Sequence, residues 1–321
     1  MSTKTENKAW VTPDVVDRAL GCIYGLLVGD ALGAPFEFLN EGTYDVPEEG
    51  EYARGGMHDV SPGEWTDDGA MALALADSLA TVGWDRSDQL ERYCNWMYHG
   101  EYSSRGVCFD IGRTTTLALD TYAETHDPDL AGRPVGRRSA GNGSIMRLAP
   151  VPIWCALNTE DPEEAVEKAL KLGAASSTTT HGHSRCMAAA GQLSMQLCVL
   201  IRGLRDIGEF SKGKDPRREG SRGVSGFVGD TLDAALWCFN TPTGVHAQGP
   251  VMKSGLDRTA FSCVVRKAVS LGGDTDTVGA VAGQLAGAAF GIENIPPGWL
   301  LGLPDDMGVA EGIINRLVKG E

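Results

Sequence analysis

The stretch Leu271-Gly272-Gly273-Asp274-Thr275-Asp276-Thr277 runs directly into the segment Val278-Gly279-Ala280-Val281-Ala282-Gly283-Gln284-Leu285-Ala286-Gly287-Ala288-Ala289-Phe290. A helix made almost wholly of Ala, Gly, Val and Leu fits only where it is packed on every side. Two carboxylates and a hydroxyl stand at its start, and all-oxygen donors suit Mg²⁺, Mn²⁺ or Ca²⁺ rather than zinc. One Asp would be explained as a helix cap. Two, with Thr277, exceed that need and favour a metal site.

A similar junction occurs about two hundred residues earlier. Glu64-Trp65-Thr66-Asp67-Asp68-Gly69 precedes a strongly helical, Ala-rich run over residues 70–79. Taken alone, this could be an N-cap followed by acidic first-turn residues. The repetition changes that interpretation, because the two junctions together supply four carboxylates and two hydroxyls. Such a set is large enough for a two-cation site with bridging ligands.

Composition sets broad limits. The chain has 321 residues, 42% of them hydrophobic, and a formal net charge of −15. This charge argues against binding to nucleic acid or to an anionic membrane, since both need a basic face. The eight cysteines are scattered without a Cys-x-x-Cys pair, which is typical of buried thiols in a reducing compartment. With a polar start at residues 1–10 and no uninterrupted membrane-length apolar run, we expect a cytoplasmic protein.

Helical periodicity dominates the chain, and strand-like alternation is nowhere sustained. We therefore predict an all-α protein, with a flexible N-terminal arm (residues 1–13) and a single large compact helical domain (residues 14–321). A long Gly- and Pro-rich loop is expected over residues 39–64, and loops of that length are often functional. The predicted helices cover residues 14–32, 70–79, 117–122, 163–173, 184–204, 229–239, 260–270 and 309–318.

Three further motifs are weak signals when each is taken alone. Gly141-Asn142-Gly143-Ser144 is a turn before a helix whose backbone N–H groups could hold an anion, but it lacks P-loop spacing and a plain turn is more common. Thr180-His181-Gly182-His183 precedes a helix, where a histidine is usually structural. Glu37, between two phenylalanines, is an ordinary rim carboxylate on this basis.

Taken together, the motifs resemble those of the ADP-ribosylglycohydrolase family, whose namesake is the dinitrogenase-reductase-activating glycohydrolase. They occur in family order over about residues 14–300. The segments are Gly29-Asp30-Ala31-Leu32-Gly33-Ala34-Pro35-Phe36-Glu37-Phe38, Trp65-Thr66-Asp67-Asp68-Gly69-Ala70-Met71-Ala72-Leu73, Asp110-Ile111-Gly112-Arg113-Thr114-Thr115, Gly141-Asn142-Gly143-Ser144-Ile145-Met146-Arg147, Thr180-His181-Gly182-His183 and Gly272-Gly273-Asp274-Thr275-Asp276-Thr277-Val278-Gly279-Ala280.

The resemblance implies an all-helical fold with a binuclear Mg²⁺ or Mn²⁺ centre in a cleft. It also implies hydrolysis of the N-glycosidic bond between ADP-ribose and a protein side chain, typically arginine. The metal ligands it implies are Thr66, Asp67, Asp68, Asp274, Asp276 and Thr277. Catalysis would involve Glu37, Asp110 and Asp68, with Asp110 as our candidate for proton transfer or charge stabilisation. Substrate-binding positions would be Ser139, Gly141, Asn142, Gly143, Ser144, His181, Arg113 and Phe227.

Three positions depart from the family pattern. Arg113 stands where Asn is common, which adds charge and bulk beside Asp110. Phe227 stands where related sequences often carry Tyr, and Gly69 replaces a common Thr. None of them removes an implied metal ligand. The expected partners are an ADP-ribosylated protein, the ADP-ribose product and a cognate ADP-ribosyltransferase.

Two other functions remain open at this stage. Asp274-Thr275-Asp276-Thr277-Val278 formally fits the motif of an aspartyl phosphatase, but the strand that should precede that motif is missing from the pattern. A non-enzymatic alternative is an ADP-ribose-binding or antitoxin protein that blocks a transferase by direct contact, through the arm at residues 1–13 or the loop at residues 39–64.

Overall fold

The computed structural model describes residues 8–133, 136, 139–204, 212–217, 223–241, 258–304 and 308–320. These residues form thirteen α-helices. They are Pro13–Gly33 (α1), Asp67–Thr81 (α2), Arg86–His99 (α3), Arg113–Thr125 (α4), Pro128–Ala131 (α5), Pro150–Asn158 (α6), Pro162–Ser177 (α7), Ser184–Ile201 (α8), Val228–Asn240 (α9), Arg258–Val269 (α10), Thr275–Phe290 (α11), Pro297–Leu301 (α12) and Val309–Lys319 (α13).

Helices α1 and α11 form the centre of the fold and run antiparallel. Glycines spaced four residues apart line one face of each helix, so the two backbones approach more closely than side chains would allow. A Cβ added to Gly25 would lie 2.2 Å from the carbonyl oxygen of Gly283, and one added to Gly283 would lie 1.9 Å from that of Gly25. The same contact recurs between Gly29 and Gly279. This glycine seam (Gly21, Gly25, Gly29, Gly33, Gly279, Gly283 and Gly287) explains the small-residue composition of α11.

The antiparallel pairing sets where polar residues meet. At one end of the seam, the Thr275 hydroxyl donates a hydrogen bond of 2.8 Å to the carbonyl oxygen of Gly33. The last turn of α1, which carries Asp30, therefore lies beside the first turn of α11, which carries Asp276. The acidic start of α11 is thus fixed against the end of the first helix in the chain.

Burial defines the environment of α1. The segment Pro13–Phe36 is long and apolar enough to cross a membrane by length and composition, although 89% of its most apolar window is buried inside the protein. That burial is what a core helix shows. Thr12 begins the helix by accepting a hydrogen bond from the Val15 N–H, and Pro13 occupies the first turn, as at many helix starts.

The predicted all-α class is confirmed, and strand pairing within the described residues is limited to isolated bridges. Each predicted helix exists, but helix ends differ where tertiary packing outweighs local pattern. The helix predicted over residues 117–122 extends over Arg113–Thr125, and the helix expected after the Gly141–Ser144 turn begins only at Pro150, as α6. The loop at residues 39–64 contains one internal bridge, between Gly55 and Val60, and its residue Asn40 forms another with Gly272. Residues 1–7 of the predicted arm lie outside the described residues, whereas the Lys8 ammonium donates to the carbonyl oxygen of Leu157.

Candidate functional site

Asp30 holds the start of α2. Its carboxylate accepts hydrogen bonds from the Thr66 N–H at 3.0 Å, the Thr66 hydroxyl at 2.9 Å and the Gly69 N–H at 2.8 Å. The Thr66 side chain does not cap its own helix. Asp30 therefore satisfies the exposed N–H groups that a capping side chain would otherwise take. Burial raises the pKa of Asp30 to about 7, and the three hydrogen bonds oppose that rise.

Sequence reasoning did not assign Asp30 a role. The available signal was the one acid within the apolar run of residues 19–33, where a charge is retained only when it has partners.

The two acidic junctions meet. The Thr66 hydroxyl oxygen lies 3.5 Å from Asp67 Oδ1 and 3.5 Å from Asp276 Oδ2. Glu37, Asp274 and Asp276 each place one carboxylate oxygen within 4.8 Å of the others. The distant segments that the sequence analysis paired are therefore adjacent in the structure, although the assignment of each residue as a ligand stays a prediction.

Several of these oxygens lack partners among the described residues. Both carboxylate oxygens of Asp68 are buried without a hydrogen-bond partner, and so are Oδ1 of Asp276 and Oε2 of Glu37. A buried carboxylate oxygen without a partner costs free energy, and native proteins rarely leave one. The oxygens form a hard donor set of the kind that Mg²⁺ and Mn²⁺ accept. The residues present therefore fit a divalent cation, with Thr277 also buried in the first turn of α11.

The electrostatics agree with that fit. Burial, and then the neighbouring carboxylates, raise the pKa values of Asp67, Asp68 and Asp276 well above the ordinary value. The same causes raise the pKa of Glu37 to about 9. Without a cation, this cluster lowers its own repulsion by holding protons, as closely spaced acids do.

A second group stands at the edge of the cluster. His58 Nε2 lies 2.9 Å from Asp110 Oδ1 and 3.3 Å from Glu37 Oε2, within ion-pair distance of both carboxylates. Asp110 has a φ of 59°, a conformation that non-glycine residues seldom adopt outside functional or strained sites. Burial raises the pKa of Asp110, and the charge of His58 opposes that rise. Sequence reasoning missed His58, because no pattern in the loop at residues 39–64 marks it.

The glycine loop lies against the later acidic junction. The Asn142 amide donates hydrogen bonds of 2.9 Å to the Thr231 hydroxyl and 2.9 Å to Asp274 Oδ2. Its backbone N–H donates to the Gly226 carbonyl at 3.1 Å, and Gly141 forms an isolated bridge with Phe227. These contacts place Asn142 against Asp274 and bring the backbone of Phe227 to the glycine loop, while the assignment of both residues to substrate binding stays a prediction.

The remaining predicted substrate residues differ in their surroundings. The Ser144 hydroxyl is buried without a partner among the described residues, whereas the Ser139 hydroxyl donates to the Gly136 carbonyl within its own turn. The His181 ring faces the glycine loop, because a Cβ added to Gly143 would lie 2.7 Å from His181 Cε1. Arg113 is exposed at the start of α4 and forms no hydrogen bond or ion pair within the described part of the chain.

Comparison with known proteins agrees with the recognised motifs. The family model described as ADP-ribosylglycohydrolase matches residues 11–321. The ADP-ribosylarginine hydrolase Tri1 of Serratia proteamaculans (strain 568) is 34% identical over 306 residues, which cover 89% of this chain and 75% of that protein. The ADP-ribosyl-(dinitrogen reductase) glycohydrolase of Rhodospirillum rubrum is 34% identical over 301 residues, 90% of each chain.

A solved structure agrees as well. A chain of an ADP-ribosylglycohydrolase-related protein complex superposes with a TM-score of 0.69 at 36% sequence identity, covering 96% of this chain and 99% of that one. The match confirms the predicted fold and leaves no room for the aspartyl phosphatase, which needs a parallel sheet. The chain belongs to the ADP-ribosylglycohydrolase family.

Proposed function

We propose that this protein is a metal-dependent hydrolase that removes ADP-ribose from a modified protein side chain by cleaving the N-glycosidic bond. The preferred substrate in this proposal is ADP-ribosyl-arginine. One observation carries the proposal. Two acidic helix starts, distant in sequence, bring buried carboxylate oxygens without partners to one place, next to a glycine loop suited to an anion. Two relatives that cover most of the chain are named for removing ADP-ribose from arginine and from dinitrogen reductase.

The residues that would hold two Mg²⁺ or Mn²⁺ ions are Thr66, Asp67, Asp68, Asp274, Asp276 and Thr277. Bound there, such ions would act as Lewis acids that orient the ribose hydroxyls and lower the pKa of a water molecule. Asp30 contributes by fixing Thr66 and the first turn of α2, so that Asp67 and Asp68 keep their positions.

Glu37 and Asp110 are the candidates for proton transfer. Cleavage at the anomeric carbon develops positive charge on the sugar, and a carboxylate beside it can stabilise that charge or move a proton. His58, in contact with both carboxylates, orients them and balances part of their charge. Because Asp110 is more accessible than the buried Glu37, we assign Asp110 to the departing side chain and Glu37 to the interior of the site.

The glycine loop would receive the diphosphate of ADP-ribose. Backbone N–H groups at a turn form a cradle for anions. Gly141, Gly143 and Ser144 would supply them here, since the Asn142 N–H already donates to the Gly226 carbonyl. Phe227 and His181 lie on its flanks, and exposed Arg113 would meet the modified protein rather than the nucleotide.

We further propose a cytoplasmic location and a cognate ADP-ribosyltransferase as a partner. The eight cysteines are all free, which agrees with a reducing compartment. The predicted lack of nucleic-acid and membrane binding stays a prediction from charge. A protein that only blocks a transferase would bind ADP-ribose or the transferase without releasing labelled product, so a release assay separates the two functions.

The test is incubation of the purified protein with Mg²⁺ or Mn²⁺ and with proteins labelled on ADP-ribose through arginine, serine or a nucleobase. We expect release from the arginine-linked substrate and its loss in Asp67→Asn and Asp276→Asn. Glu163→Gln, which removes an exposed carboxylate from the start of α7, is the matched control and should keep full release. Full release by Asp67→Asn would overturn the metal assignment, and binding without release by the wild type would support the blocking protein.

A further inference from the structure

Arg147 is a buried cation next to the glycine loop. Its side chain is 0% exposed, and no carboxylate among the described residues lies within ion-pair distance of it. The guanidinium instead donates to the Gly143 carbonyl oxygen at 2.8 Å and lies 4.7 Å from the centre of the Tyr93 ring. Burying a charge without a counter-ion is costly. The hydrogen-bond partners of Arg147 therefore indicate what the buried guanidinium is retained for.

Those partners include two consecutive threonines. Arg147 Nη2 donates to the Thr179 hydroxyl at 3.1 Å and to the Thr180 hydroxyl at 2.7 Å. A guanidinium has no acceptor, so each hydroxyl oxygen must accept from it and direct its own hydrogen elsewhere. Thr179 donates onward to the Ser176 carbonyl oxygen at 2.7 Å.

Thr180 has a different onward partner. Its hydroxyl oxygen lies 2.8 Å from Nδ1 of His181, and no other acceptor for its hydrogen is found among the described residues. If Nδ1 carried a proton, the Thr180 hydroxyl would accept from both Arg147 and His181, and its own hydrogen would be buried without an acceptor. An unsatisfied buried donor is costly, because it loses its hydrogen bond to water without a replacement. The arrangement therefore favours a bare Nδ1 and a protonated Nε2.

The protonated nitrogen faces the glycine loop. A Cβ added to Gly143 would lie 3.1 Å from His181 Nε2, and one added to Gly141 would lie 3.4 Å from it. Within the described residues, Nε2 donates no hydrogen bond. The backbone of His181 is fixed on both sides, because its N–H donates to the Ser177 carbonyl and its own carbonyl accepts from the Ser177 hydroxyl. These contacts hold the backbone of His181, and the ring cannot turn away from the loop without breaking the contact between its Nδ1 and the Thr180 hydroxyl.

We infer that Arg147 acts through the Thr180 hydroxyl as a positioning group, which sets His181 in the neutral tautomer whose Nε2–H donates to the anion bound on the Gly141–Ser144 turn. This inference rests on the proposed function for the identity of that anion, the diphosphate of ADP-ribose. The chain of contacts also explains why a buried cation is retained here. The guanidinium of Arg147 is one hydrogen bond from the Gly143 carbonyl and two hydrogen bonds, through the Thr180 hydroxyl, from the imidazole of His181.

The charge state of the ring agrees with this geometry. Burial, followed by the positive charge of Arg147, lowers the pKa of His181 to about 3. His181 therefore stays neutral throughout the physiological range and offers one donor of fixed direction, rather than a charge that varies with pH.

The first experiment reads the tautomer without any ligand. Long-range ¹H–¹⁵N NMR of the metal-loaded wild-type protein separates a protonated ring nitrogen from a bare one, and His181→Gln assigns the signals. We expect a single Nε2–H tautomer in the wild type and in Thr180→Ser, which keeps the hydroxyl. Thr180→Val should give a mixture of tautomers, and Thr179→Val, the matched control, should leave the His181 signals unchanged. A wild-type ring protonated at Nδ1, or at both nitrogens, would overturn the inference.

The second experiment measures ADP-ribose affinity by calorimetry at saturating Mg²⁺. Thr180→Val should weaken the hydrogen bond from His181 Nε2–H to the charged diphosphate, and we expect ADP-ribose to bind about 10-fold more weakly. Thr180→Ser and Thr179→Val should bind like the wild type. Equal losses in both valine variants would show general disturbance around Arg147 and overturn the specific contact. If Thr180→Val fails to fold, Thr180→Ala replaces it. If the wild type does not bind ADP-ribose, the proposed function and the donor role fail, while the NMR result still decides the tautomer.

Discussion

Replacing Gly283 by Ala tests the packing that brings the two acidic junctions together. The added Cβ would lie 1.9 Å from the carbonyl oxygen of Gly25 and 2.6 Å from its carbonyl carbon. Both atoms belong to the backbone of a buried helix, which cannot rotate away as a side chain would. Either α1 and α11 must separate, or their crossing must shift.

The expected size of the effect comes from two opposing contributions. Overpacking a core costs about 1–3 kcal/mol, occasionally more, and contact with backbone belongs at the upper end. Alanine in a helix interior returns about 0.5–1 kcal/mol relative to glycine. The net expectation is a destabilisation of about 2 kcal/mol. For a chain of this length, that should lower the Tm by about 3 °C.

The assay is thermal unfolding, with and without saturating Mg²⁺ or Mn²⁺. Gly312→Ala in α13 is the matched control, because the nearest atom to its added Cβ is the end of the Arg316 side chain at 3.7 Å. Helix propensity alone acts there, so the Tm should rise by about 1 °C. Because α1 and α11 carry Asp30 and Asp276, Gly283→Ala should also reduce the Tm gain produced by the cation. A Gly283→Ala protein as stable as the control would refute the close approach of the two helices.

Two further results follow from the acidic cluster. Asp30→Asn replaces an acceptor of three hydrogen bonds with a group that must turn its NH₂ toward one of the donors on Thr66 or Gly69. We expect the free energy of unfolding to fall by about 1–3 kcal/mol and calorimetry to show weaker cation binding. Unchanged cation binding would show that Asp30 does not position α2. The second concerns pH. The pKa of Glu37 is raised from 4.5 to about 9, so between these pH values the folded metal-free protein holds a proton that the unfolded chain releases. The Tm of the metal-free protein should therefore fall as the pH rises through this window. The stabilisation by added cation should grow over the same window. A metal-free Tm that rises across the same window would contradict this direction.

Local pattern was enough to predict most of the fold. The helical class and the existence of α2, α7, α8, α10 and α13 follow from apolar spacing. Helix ends were less predictable, because hydrogen-bonding partners from distant segments decide them. The start of α2 is an example, since its N–H groups are satisfied by Asp30 in another helix rather than by a residue nearby in sequence.

For the site, the pairing of the Thr66–Asp68 and Asp274–Thr277 junctions could be predicted from the sequence, since repeated carboxylates at helix starts are more than capping needs. The structure places them in contact. Asp30 and His58 could not be found in the same way, because neither belongs to a repeated pattern and each acts only through contacts made after folding. The shape of the loop at residues 39–64, which brings His58 to Asp110, has no period that a sequence would reveal.

The pairing of the first long helix with one close to the end of the chain has a consequence during synthesis. Until residues 275–290 leave the ribosome, α1 has no partner for its glycine face and remains an apolar segment long enough to enter a lipid bilayer or to bind a chaperone. Nascent chains stopped before residue 275 should therefore aggregate or be captured, whereas chains released after α11 should not. Assembly of the acidic cluster and burial of the glycine face of α1 then happen in a single late event.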